Sequence, residues 1–180
     1  IMWAKPNEIL SRWSPYQLKI APPVVTLLME IERTLERKSR NMKEAALDIR
    51  QRLPGRRSIL FAHGVEVVPV KTATLPPADH TNCYLVGDPD GDFILVDPAS
   101  HLREGMEDMA KAVERHKGEL IAMMFTHSHG DHVGDIGLLR EAFDVPIWGS
   151  EYTARSVKCD RILSDGETLE LGNQTWQVLI

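Results

Sequence analysis

Between residues 126 and 132 the chain reads Thr-His-Ser-His-Gly-Asp-His, placing three imidazoles and one carboxylate within six positions. In an extended loop alternate side chains point to one side, so His127, His129 and Asp131 are expected on one face. Gly130 is expected to make the sharp turn that brings Asp131 and His132 round toward a helix starting near Gly134. Imidazole nitrogens and a carboxylate are the borderline donors that suit zinc, and also iron or manganese. Four such groups converging past the end of a buried strand are consistent with two ions a few ångströms apart and a bridging water as nucleophile. With 7 His in 180 residues, a chance HxHxDH is expected on the order of once in a thousand such chains.

The elements around the loop must position it. Leu120 to Phe125 is a continuous apolar run, the pattern of a central strand buried on both faces. Before it, Val65–Val70, Asn82–Val86 and Phe93–Val96 read as strands, the last two joined as a hairpin through Asp88-Pro89-Asp90-Gly91. Leu102–His116 is amphipathic, with Met106, Met109, Ala110 and Val113 on one face, and Gly118 is expected to end it. After the loop, Ile136, Leu138, Leu139 and Phe143 predict a helix, followed by strands at Val145–Trp148, Thr168–Leu171 and Thr175–Ile180. Alternating strands and helices predict an α/β layered fold.

Residues 1–60 read differently. The opening, with Pro6, Pro15 and Pro22-Pro23, is irregular. Val24, Leu27, Leu28, Ile31 and Leu35 then recur at helical spacing. Asn41 is placed to cap a second helix carrying Ala45, Ala46, Ile49 and Leu53, which Pro54-Gly55 ends. The expected division is a mostly helical segment at 1–60, possessing the character of the end of an upstream domain, and an α/β part at 61–180. From Arg33 to Arg57 there are nine Arg or Lys against Glu36, Glu44 and Asp48. A solvated helix face accounts for such a run, with a nucleic-acid or acidic-partner patch as the alternative.

Composition bounds the partners. The chain is 43% hydrophobic and 26% charged, the balance of a globular protein, and its net charge of −5 does not advertise nucleic-acid binding. No apolar run approaches the roughly 18 residues of a membrane span. Cys83 and Cys159 stand far apart and in no CxxC arrangement, so both are expected reduced and buried, which suggests the cytoplasm.

With these stretches together, the sequence over residues 64 to 180 resembles the metallo-β-lactamase superfamily, in the branch of glyoxalase II and β-lactamase-like proteins. Besides the histidine loop, Thr81-Asn82-Cys83-Tyr84-Leu85-Val86 resembles the family's first hairpin. Leu95-Val96-Asp97-Pro98-Ala99 resembles its Val-Asp-x-Gly segment, with Ala99 where glycine is usual, and Asp165-Gly166-Glu167-Thr168-Leu169 resembles the turn before a later strand. The resemblance implies an αββα sandwich, His127 and His129 in a first metal site, and Asp131 and His132 in a second. It gives Asp131 a further catalytic role in holding the attacking water, and Asp97 a supporting role in orienting metal ligands. The family's third histidine, bridging aspartate and last histidine have no counterpart up to Ile180, so the implied content is the N-terminal part of the domain. His63, His80, His101 and His116 lie outside the motif and read as surface or turn histidines, with His80 set apart by its place before the first hairpin. The implied activity is zinc-dependent hydrolysis of an ester, thioester or related acyl bond in a small molecule. The alternatives are phosphodiester cleavage, with nucleic acid as partner, and a metal-binding domain without turnover.

Overall fold

The computed structural model describes residues 3–52 and 58–180. They form two compact units, Ile1–His63 and Gly64–Ile180. The first unit contains α1 (Pro6–Trp13), α2 (Pro22–Arg37), α3 (Met42–Arg52) and β1 (Ile59–Ala62). Its opening is therefore helical, not irregular: Pro6 stands in the first turn of α1, where its missing N–H is no loss. Trp13, Val25 and Leu60 form its buried core, with Leu10, Ile20 and Met29 packed against them. The Thr26 hydroxyl accepts the backbone N–H of Leu60 at 2.9 Å, tying β1 to α2.

The buried face of α2 is not the one its leucine spacing predicts. Val25, Thr26, Glu30, Glu32, Thr34 and Leu35 are buried, whereas Val24 and Leu27 are exposed. Leu27, Ile31 and Leu35 instead line a groove against Ala45, Ala46 and Ile49 of α3. Asn41 does cap α3, its Oδ1 accepting the backbone N–H groups of Lys43 and Glu44 at 3.1 and 3.2 Å. Leu53 and Pro54-Gly55 lie outside the described residues.

The second unit is a mixed sheet with helices on one face. Its strands are β2 (Val65–Lys71), β3 (His80–Gly87), β4 (Phe93–Val96), β5 (Leu120–Phe125), β6 (Ile147–Gly149) and β7 (Arg161–Ile162), standing in sequence order. β2, β3 and β4 pair antiparallel; β4 to β7 pair parallel. The change of direction follows from the connections: a short turn allows an antiparallel return, whereas a parallel return needs a crossover such as α4 (Arg103–Val113) between β4 and β5. All four residues of β4 are buried, Phe93 and Leu95 on one face, Ile94 and Val96 on the other. On the first face lie Met109 and Ala112 of α4 and Leu139 of α6 (Ile136–Phe143). On the second face the hairpin of β8 (Thr168–Leu171) and β9 (Gln174–Gln177) supplies Leu169, Leu171 and Trp176. The layers are helices, main sheet and second sheet.

Three expectations need correction here. Helix α4 stops at Val113, and Gly118 serves a close approach instead: a Cβ there would fall on the backbone of Gly91. His116 is packed rather than surface-lying, its ring 4.4 Å from that of Phe93 and its Nε2 3.2 Å from the buried Glu66 carboxylate. Both cysteines are free; Cys83 is buried and Cys159 only partly so.

Candidate metal centre

β4 and β5 are adjacent and parallel, so their carboxyl ends open on the same edge of the sheet, where α/β folds place their ligands. Asp97 follows β4 directly and Thr126 follows β5 directly. The Asp97 N–H donates to Met124 O at 2.9 Å, holding the two exits together. The chain after β4 then takes an unusual path: Asp97 and Ala99 have φ of 50° and 39°. Aspartate tolerates the left-handed region, but alanine is strained there. Glycine would relieve that strain, which is the physical reason for glycine at the resembling position of the family. Ala99 is held in place by its N–H on His132 O at 3.2 Å and by the Thr72 hydroxyl on its own carbonyl at 3.1 Å.

The histidine loop is not extended throughout. His129 is extended, and a single helical turn, α5, runs over Gly130–Val133. Alternation therefore ends at His129, and Asp131 does not join the face of His127. Gly130 is not the turning residue either. That part falls to Gly134, with φ 66°, where an added Cβ would lie 2.6 to 2.7 Å from the Ala99 and Ser100 backbone and does not fit.

The structure brings His127 and His132 together with Asp97: one potential ligand atom of each lies within 4.8 Å of the others. The His127 ring is 4.1 Å from that of His132 and 4.7 Å, edge on, from that of His129. Asp131 lies outside the three-donor cluster and turns instead to Thr74, whose hydroxyl donates to its Oδ2 at 2.7 Å. That hydrogen bond is the chief reason the Asp131 carboxyl sits below its ordinary range, against a smaller opposing effect of burial.

Asp97 is 4% exposed and fully engaged. Its Oδ1 accepts the Thr126 N–H at 2.8 Å; its Oδ2 accepts the Thr126 hydroxyl at 2.7 Å and lies 3.0 Å from His132 Nδ1. An ionised carboxylate only accepts, so Nδ1 of His132 donates to it, and in the neutral ring Nε2 is the atom left with a lone pair. With its proton given to Asp97, the Thr126 oxygen can accept from His127 Nδ1, 2.9 Å away, which likewise leaves Nε2 of His127 as a lone-pair donor. One buried carboxylate and one hydroxyl thus set both imidazoles in the tautomer a metal requires. This donor set fits a divalent ion.

Two of these partners, Thr74 and Thr126, carry no signal as residue types. Thr126 adjoins the motif, but Thr74 is 57 positions from its partner. His80 lines the same recess as Asp97, Asp131 and His132, together with Thr74 and Tyr84, and its Nδ1 is 2.6 Å from Asp79 Oδ1. His101 reaches the loop from outside, with Nε2 3.1 Å from Gly130 O.

Comparison with known proteins agrees with this geometry. Residues 76–158 match the family model of the metallo-β-lactamase superfamily. A hydroxyacylglutathione hydrolase of Cronobacter sakazakii is 28% identical over 99 residues, covering 54% of this chain and 37% of the relative. An uncharacterized protein of Aquifex aeolicus is 30% identical over 134 residues, covering 64% and 58%. The chain thus spans roughly two fifths to three fifths of the length of these curated relatives. Among solved structures, a metallo-β-lactamase from Pontibacter korlensis superposes with a TM-score of 0.53 at 18% identity, covering 66% of this chain and 57% of that one. A β-lactamase domain protein from Burkholderia ambifaria gives 0.52 at 20% identity, covering 67% and 46%. At such identities these structures establish the fold. Residues 76–158 thus match the metallo-β-lactamase superfamily in sequence, and the second unit shares the fold of solved metallo-β-lactamases.

Proposed function

We propose that the second unit serves a metal-dependent hydrolase that cleaves an ester, thioester or related acyl bond of a small molecule with water. The observation that carries this reading is the convergence of His127, His132 and Asp97, with Asp97 and Thr126 setting the imidazoles to present Nε2. In this reading His127 and His129 hold one ion, Asp131 and His132 contribute to a second, and Asp97 orients rather than binds. Zinc suits these donors best, with iron or manganese as alternatives. A bound ion supplies Lewis acidity toward a carbonyl and acidifies a water molecule. The chain's own residues do the rest. Asp131, oriented by the Thr74 hydroxyl on its Oδ2, can hold the attacking water and accept its proton. Thr126 and Asp97 keep the imidazoles from turning away.

The relatives named hydroxyacylglutathione hydrolases support the acyl reading. Phosphodiester cleavage draws less support, because the residues lining the recesses beside the loop include no Lys or Arg to meet a phosphate backbone. Free Cys83 and Cys159 support a reducing compartment such as the cytoplasm, and no helix among the described residues is long and apolar enough to cross a membrane. Residues 1–60 we read as a separate helical module.

The test is turnover of a hydroxyacylglutathione thioester by the full-length protein, with and without zinc, beside RNA cleavage. Zinc-dependent thioester hydrolysis, lost on chelation and in Asp131→Asn, is the expected result. Cleavage of RNA alone would overturn it in favour of a nuclease, and tightly held zinc with neither activity would leave a binding domain.

A further inference from the structure

The segment between β2 and β3, residues 72–79, is tied down at two points and meets the histidine loop through Thr74. At its base Thr72, 5% exposed, donates its N–H to Asp79 O at 3.1 Å and its hydroxyl to Ala99 O at 3.1 Å. Further out, Ala78 N donates to Leu75 O at 3.1 Å, closing a tight turn. Between these ties Thr74 reaches across to Asp131. Both residues line two neighbouring recesses: one of about 400 Å³ shared with His80, Tyr84, Asp97 and His132, the other of about 470 Å³ shared with Leu75, His101 and His129. The Thr74–Asp131 hydrogen bond is therefore a partition on the floor of the candidate site. It commits Oδ2, and with it the plane of the carboxylate, to a residue that no metal-ligand pattern includes.

We infer that Thr74 is the positioning residue for Asp131: its hydroxyl fixes the carboxylate between the two recesses and couples the 72–79 segment to metal affinity. This rests on the reading of Asp131 as a ligand. A hydroxyl does this at low cost, because Thr74 sits in a segment already anchored through Thr72 and loses little further freedom on making the bond. The coupling is reciprocal, so whatever moves the 72–79 segment changes how well Asp131 serves the ion.

The test is zinc affinity of the full chain, measured by competition with a chromophoric chelator, for wild type, Thr74→Ser, Thr74→Val, Asp131→Asn and the Thr74→Val/Asp131→Asn pair. Removing an outer hydrogen-bond partner should weaken zinc binding by about tenfold or more in Thr74→Val, while Thr74→Ser, which keeps the hydroxyl, stays within about threefold of wild type. In the Asp131→Asn background Thr74→Val should change nothing further. Thr74→Ala, with the same expectation as Val, guards against a packing effect of the larger side chain. If Asp131→Asn weakens zinc binding but Thr74→Val does not, the inference falls and the metal reading stands. Additive losses in the double variant, or loss in Thr74→Ser as well, would also overturn it, since the segment would then act otherwise than through Asp131. If wild type and Asp131→Asn bind zinc equally, Asp131 is no ligand and both readings fail together.

Discussion

Replacing Asp97 by asparagine should loosen the site without a metal being involved at all. Asparagine has the same shape and also tolerates the left-handed backbone, so the φ of 50° is not what changes. What changes is acceptor capacity. The carboxylate meets three donors: Thr126 N–H on Oδ1, and the Thr126 hydroxyl and His132 Nδ1 on Oδ2. An amide has a single oxygen. Its best orientation gives that oxygen to the two donors and sets its NH₂ against the Thr126 N–H. One hydrogen bond to a charged acceptor is lost, a term of about 1.5–3 kcal/mol, and the exposed side of Thr126 lets water recover part of it, leaving about 2 kcal/mol. For a chain of this size that lowers the melting temperature by about 4–8 °C. The assay is thermal unfolding followed by circular dichroism in the presence of chelator, with Asp131→Asn as control. The control should melt like wild type, because its amide oxygen still accepts from Thr74. A melting temperature of Asp97→Asn within about 1 °C of wild type would refute the claim that Asp97 organises both strand exits.

Further expectations follow from other parts of the second unit. Gly118→Ala should cost about 3 kcal/mol in urea unfolding, since its Cβ meets the Gly91 backbone and neither strand end can yield; a neutral effect would show that the approach is not held. Burial, with a smaller contribution from the Asp97 charge, pushes the Cys83 thiol well up, and partial burial raises Cys159 less completely. Because the thiolate is the nucleophile, a disulfide reagent at about pH 8 should label Cys159 slowly and Cys83 only after unfolding, the Cys159 rate rising with pH. Fast labelling of both would contradict the packing. Asp160 accepts Ile147 N–H and pairs with Arg140, which holds its carboxyl low. A lowered folded value stabilises above the ordinary carboxylate range and is lost as pH falls through it, so stability of the wild type should drop below about pH 4 more steeply than that of Asp160→Asn. Equal acid limbs in urea titrations would discount the pair.

β4 and β5 were readable because four to six consecutive apolar residues between turn residues leave few options, and the donor loop because its residue types are rare together. The strands that escaped notice are those whose existence depends on a neighbour: β7 is two residues long and is a strand only because Trp148 and Gly149 pair with it. On α2, hydrophobic spacing selected Val24 and Leu27, yet the buried side carries Thr26, Glu30 and Glu32. Such residues are buried through partners, Glu32 with nearby Arg40 at 2.8 Å and Thr26 with the N–H of Leu60, and a partner as distant in the chain as Leu60 leaves no periodic trace. The same reason hid Thr74. At the loop itself, the residue types stood out but the backbone was not legible: the start of α5 at Gly130 separates Asp131 from the face that alternation assigns it, and the need for glycine moves to Gly134, where Ser100 lies behind it.

The order of strands gives the site a place in time as well as in space. β2, β3 and β4 meet through short connections, so their pairing closes early, whereas β4 and β5 meet only after the chain has travelled through α4. Asp97 leaves from the early part and Thr126 from the late one. Until that crossover closes, His127 and His132 have neither their carboxylate nor their tautomer, so under the proposed function the capture of an ion would be a late product of folding and a reporter that the parallel half of the sheet is in register.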